Sequence, residues 1–368
     1  MTALRITDLV VAGFRNLGSA RLSPDPHTNV LLGANGQGKT SLLEAIDYAA
    51  SLRSFRGATR AQLVGHEADQ AQVLLRVEGA HLAHEYRIRI SRTAREILLD
   101  GKRPESAVEY FGNAACVVFQ PGDLDLVRGP PEFRRRLLDR VLVRVVEGYG
   151  EALKNYGRAL RARNQLLRDH ARDWRAIQAY DFPLARYGAA RVRAREAVVG
   201  DLVQAARQAI DEVALTSDSI SVTYRPKAPG DQVAYAAMLA GNAAADTARK
   251  TTLLGPHADD VQLLWGGRAA RVVASQGQTR ALALALRLAE LHVIESRTKS
   301  LPVLLLDDVS SELDRERTER LFKLVAGLGG QVWVTTTDPS IAALVPGERR
   351  FEVREGQVEN ASVDIPCP

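Results

Sequence analysis

The sequence predicts an α/β protein: a mixed-sheet head, discontinuous in the chain, with an α-helical arm inserted between its halves. Three observations predict it. Strand-like runs alternate with amphipathic helical runs near both ends of the chain, at 28–50 and again at 276–337, the pattern of a largely parallel sheet. Between them, apolar residues recur at steps of three, four and seven, the helical repeat. Finally, 368 residues with 46% hydrophobic and 25% charged side chains make two domains of ordinary globular composition and exclude a disordered or fibrous chain. The expected head is residues 1–122 and 214–368, and the expected arm is 123–213.

Residues 4–13 alternate as a strand, and 28–33 form a second strand running straight into GANGQGKTSLLEAIDYAA, where a glycine-rich turn opens an amphipathic helix. Alternation at 71–78 and 84–99 adds strands, the latter with a hairpin-type break and an Asp100-Gly101 turn at its end. After Pro130-Pro131, the spacing of Leu138, Leu142, Val145, Tyr149, Leu153, Tyr156, Leu160 and Leu167 predicts one long helix. A second helical stretch begins near Trp174, is interrupted at Pro183 and resumes from Leu184 to about Val213. Strands return at 219–224, 260–265 and 268–274, the last two flanking Gly266-Gly267. A helix at 276–296, an apolar strand at 302–306, a helix at 314–328 and a strand at 331–337 complete the pattern.

Two cysteines, Cys116 and Cys367, show no metal or disulfide spacing, so a reducing cytoplasm fits. The longest apolar runs, at 281–286 and 301–306, fall short of the roughly 18 residues that cross a bilayer. The N-terminal segment reads as an alternating strand and not as a charged head followed by an apolar signal segment, so secretion is not expected. A membrane partner is not expected.

Gly33-Ala34-Asn35-Gly36-Gln37-Gly38-Lys39-Thr40 matches GxxxxGK[ST] at every fixed position and stands between a strand and a helix, as the motif requires. Its glycines let backbone N–H groups wrap a polyphosphate, and the helix N-terminus continuing through Ser41 adds its dipole. Lys39 offsets the negative charge, and Thr40 is placed to hold Mg2+. The plain alternative is a glycine-rich turn before a capped helix. In LPVLLLDDVSSELD an apolar strand ends in Asp307 and Asp308; the first would serve the metal, the second would orient or deprotonate an attacking water. An Asp pair also caps a following helix. Ser275-Gln276-Gly277-Gln278 opens another helix, reading either as an N-cap or as an anion site for a second subunit's nucleotide.

Together GANGQGKT, SQGQTR and LLLDDVSSELD resemble the ATP-binding-cassette (ABC) head shared by SMC-type chromosome and repair ATPases, with SQGQ as signature loop and Ser311-Glu312-Leu313-Asp314 as D-loop. GFRNL (13–17), FQPGDLDLVRGPPEFRRRLLD (119–139), GPHADD (255–260) and the Asp-Asp ending further resemble the RecF family of bacterial recombination mediators, nearly end to end. The resemblance implies an ABC-type ATPase head, SMC-like with a mixed sheet and P-loop core, and ATP and Mg2+ as cofactors. It implies that Arg15 and Asn16 line the nucleotide, and that Gln120 is the Q-loop residue joining metal and arm. Ser275, Gly277 and Gln278 would close over ATP from the opposing protomer of an ATP-dependent homodimer. The implied work is DNA binding at gaps or junctions, with RecO and RecR, to load RecA in repair, replication and the SOS response.

Some positions depart from the pattern. The metal strand ends in Asp308, not Glu, and Thr335, Thr336 and Thr337 stand where a switch histidine is usual, so slow turnover is expected. Gly122, Leu137 and Ala258 replace an acidic, an aromatic and an arginine residue of the family pattern. A clamp whose hydrolysis only resets its state is one alternative. A transporter motor subunit is another, disfavoured by the long basic insertion.

The overall charge of +5 is unevenly spread: residues 128–207 hold 17 Arg and one Lys against nine Asp and Glu, a local +9 that leaves the remainder at −4. Arg134, Arg135, Arg136, Arg158, Arg161, Arg163 and Arg168 are candidate contacts to DNA phosphates, with Arg53-Ser54-Phe55-Arg56 as a further basic segment. The alternative is a solvated helix face with local ion pairs. No aromatic ladder for stacking single-stranded bases is evident.

Overall fold

The computed structural model describes residues 2–79, 83–112, 114–169, 173–213, 219–308, 315–342 and 348–360. The chain divides into two compact units. The first, the head, comprises Met1–Asp123, Ala209–Leu215 and Arg280–Pro368. The second comprises Leu124–Gln208 and Thr216–Thr279. The strands at 219–224 and 260–265, expected with the head, therefore pack with the helices of the inserted unit. Charge pairing gives the reason: Asp259 and Asp260, at the start of the second of these strands, bind Arg195 and Arg134 of those helices.

Two large sheets build the head, and Thr2–Ala3 pairs with Ser300–Leu301 in a small third one. The six-stranded sheet has the order Gln357–Asn360, Glu348–Arg354, Thr28–Leu32, Val332–Thr336, Val303–Leu306 and Cys116–Phe119, all parallel except the first. Val303–Leu306 and Val332–Thr336 are buried at every residue, as expected for central parallel strands covered on both faces. The helix Lys39–Ser51 is buried from Ser41 through Ala50, so it is a core element and not the amphipathic one its sequence suggests. The helix Gln276–Thr298 carries the buried run 281–291. The second sheet is antiparallel, in the order Ser19–Leu22, Arg5–Ala12, Gln70–Glu78, Ala83–Ser91 and Arg95–Leu99. Alternate residues of Gln70–Glu78 are buried, and Asp100 and Gly101 form the expected turn at positive φ of 50° and 78°.

The inserted unit is more than a helical arm. Its long helix is two, Pro131–Val145 and Tyr149–Asp169, parted at Gly148, which takes φ 73°. The next break falls at Ala179 and Tyr180, not at Pro183, which is accommodated in the first turn of Asp181–Val213 because the first turn needs no donor from it. A three-stranded sheet of Ile220–Arg225, Asp260–Trp265 and Arg268–Ala269 joins them; the expected strand at 268–274 turns into a short helix, Ala270–Val273. The apolar core runs through Tyr156, Leu184, Val192, Tyr235 and Leu239.

Candidate nucleotide-binding site

The strand Thr28–Leu32 stops where Gly33 takes φ 153°, and Gly36 and Gly38 follow at 81° and 119° before the helix begins. A Cβ on Gly38 would lie 2.8 Å from Leu17 Cδ2, and one on Gly33 would lie 2.3 Å from the Val353 carbonyl oxygen. Glycine is therefore required at both ends of the loop, and the helix starts with free N–H groups at its mouth. Asn16 braces the loop: its Nδ2 donates to Gly36 O at 2.9 Å, and its Oδ1 accepts from Ser41 Oγ at 2.7 Å. A cleft of about 540 Å³ opens beside it, lined by Gly33, Ala34, Asn35, Thr337, Pro339 and Glu352 among others.

Lys39 is buried, and its Nζ donates to Gly33 O at 2.6 Å and Ala34 O at 2.9 Å. Burial pushes its pKa down, against the opposing pull of Asp308 and Asp307. A polyphosphate in the loop would supply the anionic partner that carbonyls do not.

Strand register places the acidic side. Phe119 pairs with Leu306, and Asp307 N donates to Phe119 O at 2.8 Å, so Gln120 and Asp307 leave the same end of adjacent strands. Thr40 Oγ1 donates to Asp307 Oδ1 at 2.9 Å, and Thr335 Oγ1 to the same oxygen at 2.8 Å. Burial raises the Asp307 carboxyl, only partly countered by these two hydroxyls, and Asp308 repels it further. Asp308 takes φ 50°, and its N–H donates to Thr335 Oγ1 at 2.8 Å. Thr335, one of the threonines standing in the histidine's place, thus holds both acidic residues.

Gln120 Nε2 lies 3.4 Å from Phe55 O, and Gln120 N donates to the buried Asp123 at 3.0 Å. Arg287 clamps Asp123 at 2.6 Å and Glu290 at 2.7 Å. The Thr40 hydroxyl, Asp307 carboxylate and Gln120 amide are hard oxygen donors suited to Mg2+. Among the described residues no cluster of three His, Cys, Asp or Glu forms a metal cage; magnesium at such sites takes its other ligands from phosphate and water.

The structure gives the expected residues other partners at two places. Arg15 is committed to Glu44, donating from Nε and Nη2 at 2.9 Å each. Glu44 is fully buried and also accepts from Ser54, with Arg56 3.7 Å away; its buried position one turn into the helix is a signal that sequence reading missed. Ser275 and Gln278 form a reciprocal helix cap, Ser275 N to Gln278 Oε1 at 2.8 Å and Gln278 N to Ser275 Oγ at 3.2 Å. With Gly277 they belong to the second unit. Ser311, Glu312, Leu313 and Asp314 lie outside the described residues.

The basic candidates of the inserted unit separate into two groups. Arg134 is buried and binds Asp260 at 2.9 Å; Arg163 is buried between Asp181 at 3.0 Å and Asp246 at 2.7 Å. Arg135 is half-buried on the Asp259 carbonyl. These three are structural and not phosphate contacts, because each faces the unit's own acceptors. Arg136 is exposed beside Glu132, while Arg158, Arg161 and Arg168 are exposed along the outer face of Tyr149–Asp169 with Lys154. The GPHADD segment is also structural: His257 bonds Tyr156 at 2.7 Å, and Asp259 binds Arg195 at 2.7 Å.

A phosphate loop on a mostly parallel sheet, with an acidic residue at the end of the next strand but one, defines the SMC-type head class. The model of the RecF/RecN/SMC N terminal domain family matches residues 5–357. The chain is 39% identical to the DNA replication and repair protein RecF of Myxococcus xanthus (strain DK1622) over 96% of its own length and 97% of that protein. It is 40% identical to the RecF of Anaeromyxobacter sp. (strain Fw109-5) over 96% and 99%. The chain belongs to the RecF family. A solved structure of the recombination mediator protein RecF-ATP in the RecFOR pathway superimposes with a TM-score of 0.89 at 29% identity, covering 98% of both chains. The Smc head domain of Pyrococcus furiosus matches at 0.57 and 15% identity over 98% and 96%, a likeness of fold alone.

Proposed function

We propose that this chain binds ATP with Mg2+ and uses it as a dimerisation switch on DNA, acting as a recombination mediator in DNA repair, replication and the SOS response. The observation that carries the reading is the Thr40–Asp307–Thr335 cluster beside the glycine loop and Lys39. In this reading the loop from Gly33 to Ser41 cradles the phosphates and Lys39 offsets their charge. Thr40, Asp307 and Gln120 hold Mg2+. Asp308 orients the attacking water, without help from an imidazole; Thr335 provides only a hydroxyl, which supports slow, DNA-stimulated hydrolysis. The head of one protomer meets the Ser275, Gly277 and Gln278 loop of another across ATP, and the helix cap they form presents N–H groups to the incoming phosphate. RecO and RecR are the proposed partners in loading RecA at gaps, in the cytoplasm; no described helix is long and apolar enough to cross a membrane.

DNA is assigned to the exposed face of Tyr149–Asp169. Lys154, Arg158, Arg161 and Arg168 face outward there with no ion pair among the described residues, a row suited to backbone phosphates. Light scattering with and without a slowly hydrolysed ATP analogue and DNA tests the switch: dimers form only with nucleotide, and Ser275→Arg abolishes them. A chain that stays monomeric with both ligands at saturation removes the reading.

A further inference from the structure

We propose that the turn Glu355-Gly356, near the far end of the chain, is a positioning element for the phosphate loop. It holds Asn16 and Gln37 in the arrangement that receives phosphate, and so rests on the nucleotide reading above.

The strands Glu348–Arg354 and Gln357–Asn360 pair directly through Arg354 and Gln357, leaving a two-residue turn with φ of 48° at Glu355 and 77° at Gly356. The turn is docked on the loop by both of its amides. Gly356 N donates to Gln37 O at 2.9 Å, and Glu355 N to Gln37 Oε1 at 2.5 Å. One loop residue is thus held by main chain and side chain together. The Gly356 carbonyl accepts from Gly18 N at 3.2 Å, tying the turn to the segment that carries Asn16.

The fit leaves no room. A Cβ on Gly356 would stand 2.0 Å from Asn16 O and 3.1 Å from Asn16 C, both backbone atoms that no rotamer change can move. Asn16 in turn supports Gly36 O and Ser41 Oγ at the two sides of the loop. The same hairpin passes under the loop's first residue, where Gly33 meets Val353 O. The path runs from Gly356 through Asn16 and Gln37 to the phosphate cradle.

The head contains its own control. Asp100-Gly101 is a turn of similar geometry, with φ of 50° and 78°, yet a Cβ on Gly101 meets nothing within 4 Å. Replacing either glycine by alanine imposes similar backbone strain; only one replacement pushes on Asn16.

The experiment is titration calorimetry of ADP with Mg2+ into the full chain and its Gly356→Ala and Gly101→Ala variants. Gly101→Ala retains the parent affinity, and Gly356→Ala loses about tenfold or more, the scale expected when binding groups are displaced by a fraction of an ångström or more. A Gly356→Ala chain that is folded and binds within twofold of the parent overturns the proposal. Hydrogen exchange on the unaltered chain gives a second measurement that needs no variant. Binding at the loop and docking of the turn are reciprocal, so ADP with Mg2+ slows exchange at the Glu355 and Gly356 amides and leaves Gly101 unchanged. Unchanged exchange at 355–356 in the bound state overturns the proposal even where the variant fails to fold. A parent chain that takes up neither ADP nor ATP refutes the nucleotide reading itself, and this proposal with it.

Discussion

The inserted unit and the mouth of the head's phosphate loop both bury charge, but they neutralise it differently. In the inserted unit Arg134, Arg163, Arg191 and Arg195 each meet a carboxylate of the same unit. At the mouth of the head's phosphate loop, Lys39 donates to carbonyls and Asp307 accepts from threonine hydroxyls. The contrast is sharpest between two carboxyls that burial pushes upward. At Asp139, Arg195 and Arg191 overcome burial and hold the group below its usual range; at Asp307 burial prevails. Charge neutralised within the fold is architecture, and buried charge left without a counter-charge marks a place for a ligand.

The comparison can be broken most directly at Asp259. Asp259→Ala leaves Arg195 buried without one of its two carboxylates, and should cost about 3–5 kcal/mol in denaturant unfolding; a loss below 1 kcal/mol would show that these pairs are not architectural. Lys39→Ala does the opposite. It should reduce ATP affinity by about a hundredfold, near 3 kcal/mol, with no loss of unfolding free energy, since the desolvation of the lysine offsets its hydrogen bonds and the distant pull of the acids. Equal affinity by calorimetry would remove Lys39 from the site.

Neutralising Arg158, Arg161 and Arg168 together to glutamine tests the exposed face. The slope of log affinity for DNA against log salt should fall by about three, with stability changed by no more than about 0.5 kcal/mol per residue. An unchanged slope would move DNA elsewhere. The smallest effect is at Asp307. Its carboxyl binds a proton more tightly folded than unfolded, so it weakens the fold as pH rises above the ordinary carboxylate range. Asp307→Asn should remove that dependence and make the ligand-free chain more stable at neutral pH, while losing Mg2+-dependent ATP binding. Thermal midpoints measured between pH 4 and 8, a window taken from the ordinary carboxylate range, would show a flatter profile for the variant.

Much of the site was readable in the sequence because its signals are local. The eight residues from Gly33 to Thr40 are contiguous, and Asp307 ends an apolar run that could only be a buried strand. What escaped depends on partners distant in the chain. Glu44 acquires meaning from Arg15, and Gly356 from Asn16, across separations that periodicity cannot see. Gly148 hid because apolar spacing continues across it into the next helix. Arg163 was legible in principle: it falls with Tyr156 and Leu167 on the buried stripe of its helix, whereas Arg158, Arg161 and Arg168 fall on the opposite face. Weighing residue type above periodicity grouped them together. The head boundary was misplaced because strand patterning does not reveal which helices a strand will pack on, and ion pairs decided that.

The order of the head's large sheet has a consequence for synthesis. Thr28–Leu32, which leads into the loop, lies between Val332–Thr336 and Glu348–Arg354, so both of its neighbours are synthesised long after it. The inserted unit, complete by Thr279, can fold well before them, as domains commonly do during translation. A nascent chain therefore carries the loop's sequence long before it can acquire the loop's shape. A chain halted before Glu348 would hold a folded inserted unit and an unfinished phosphate loop.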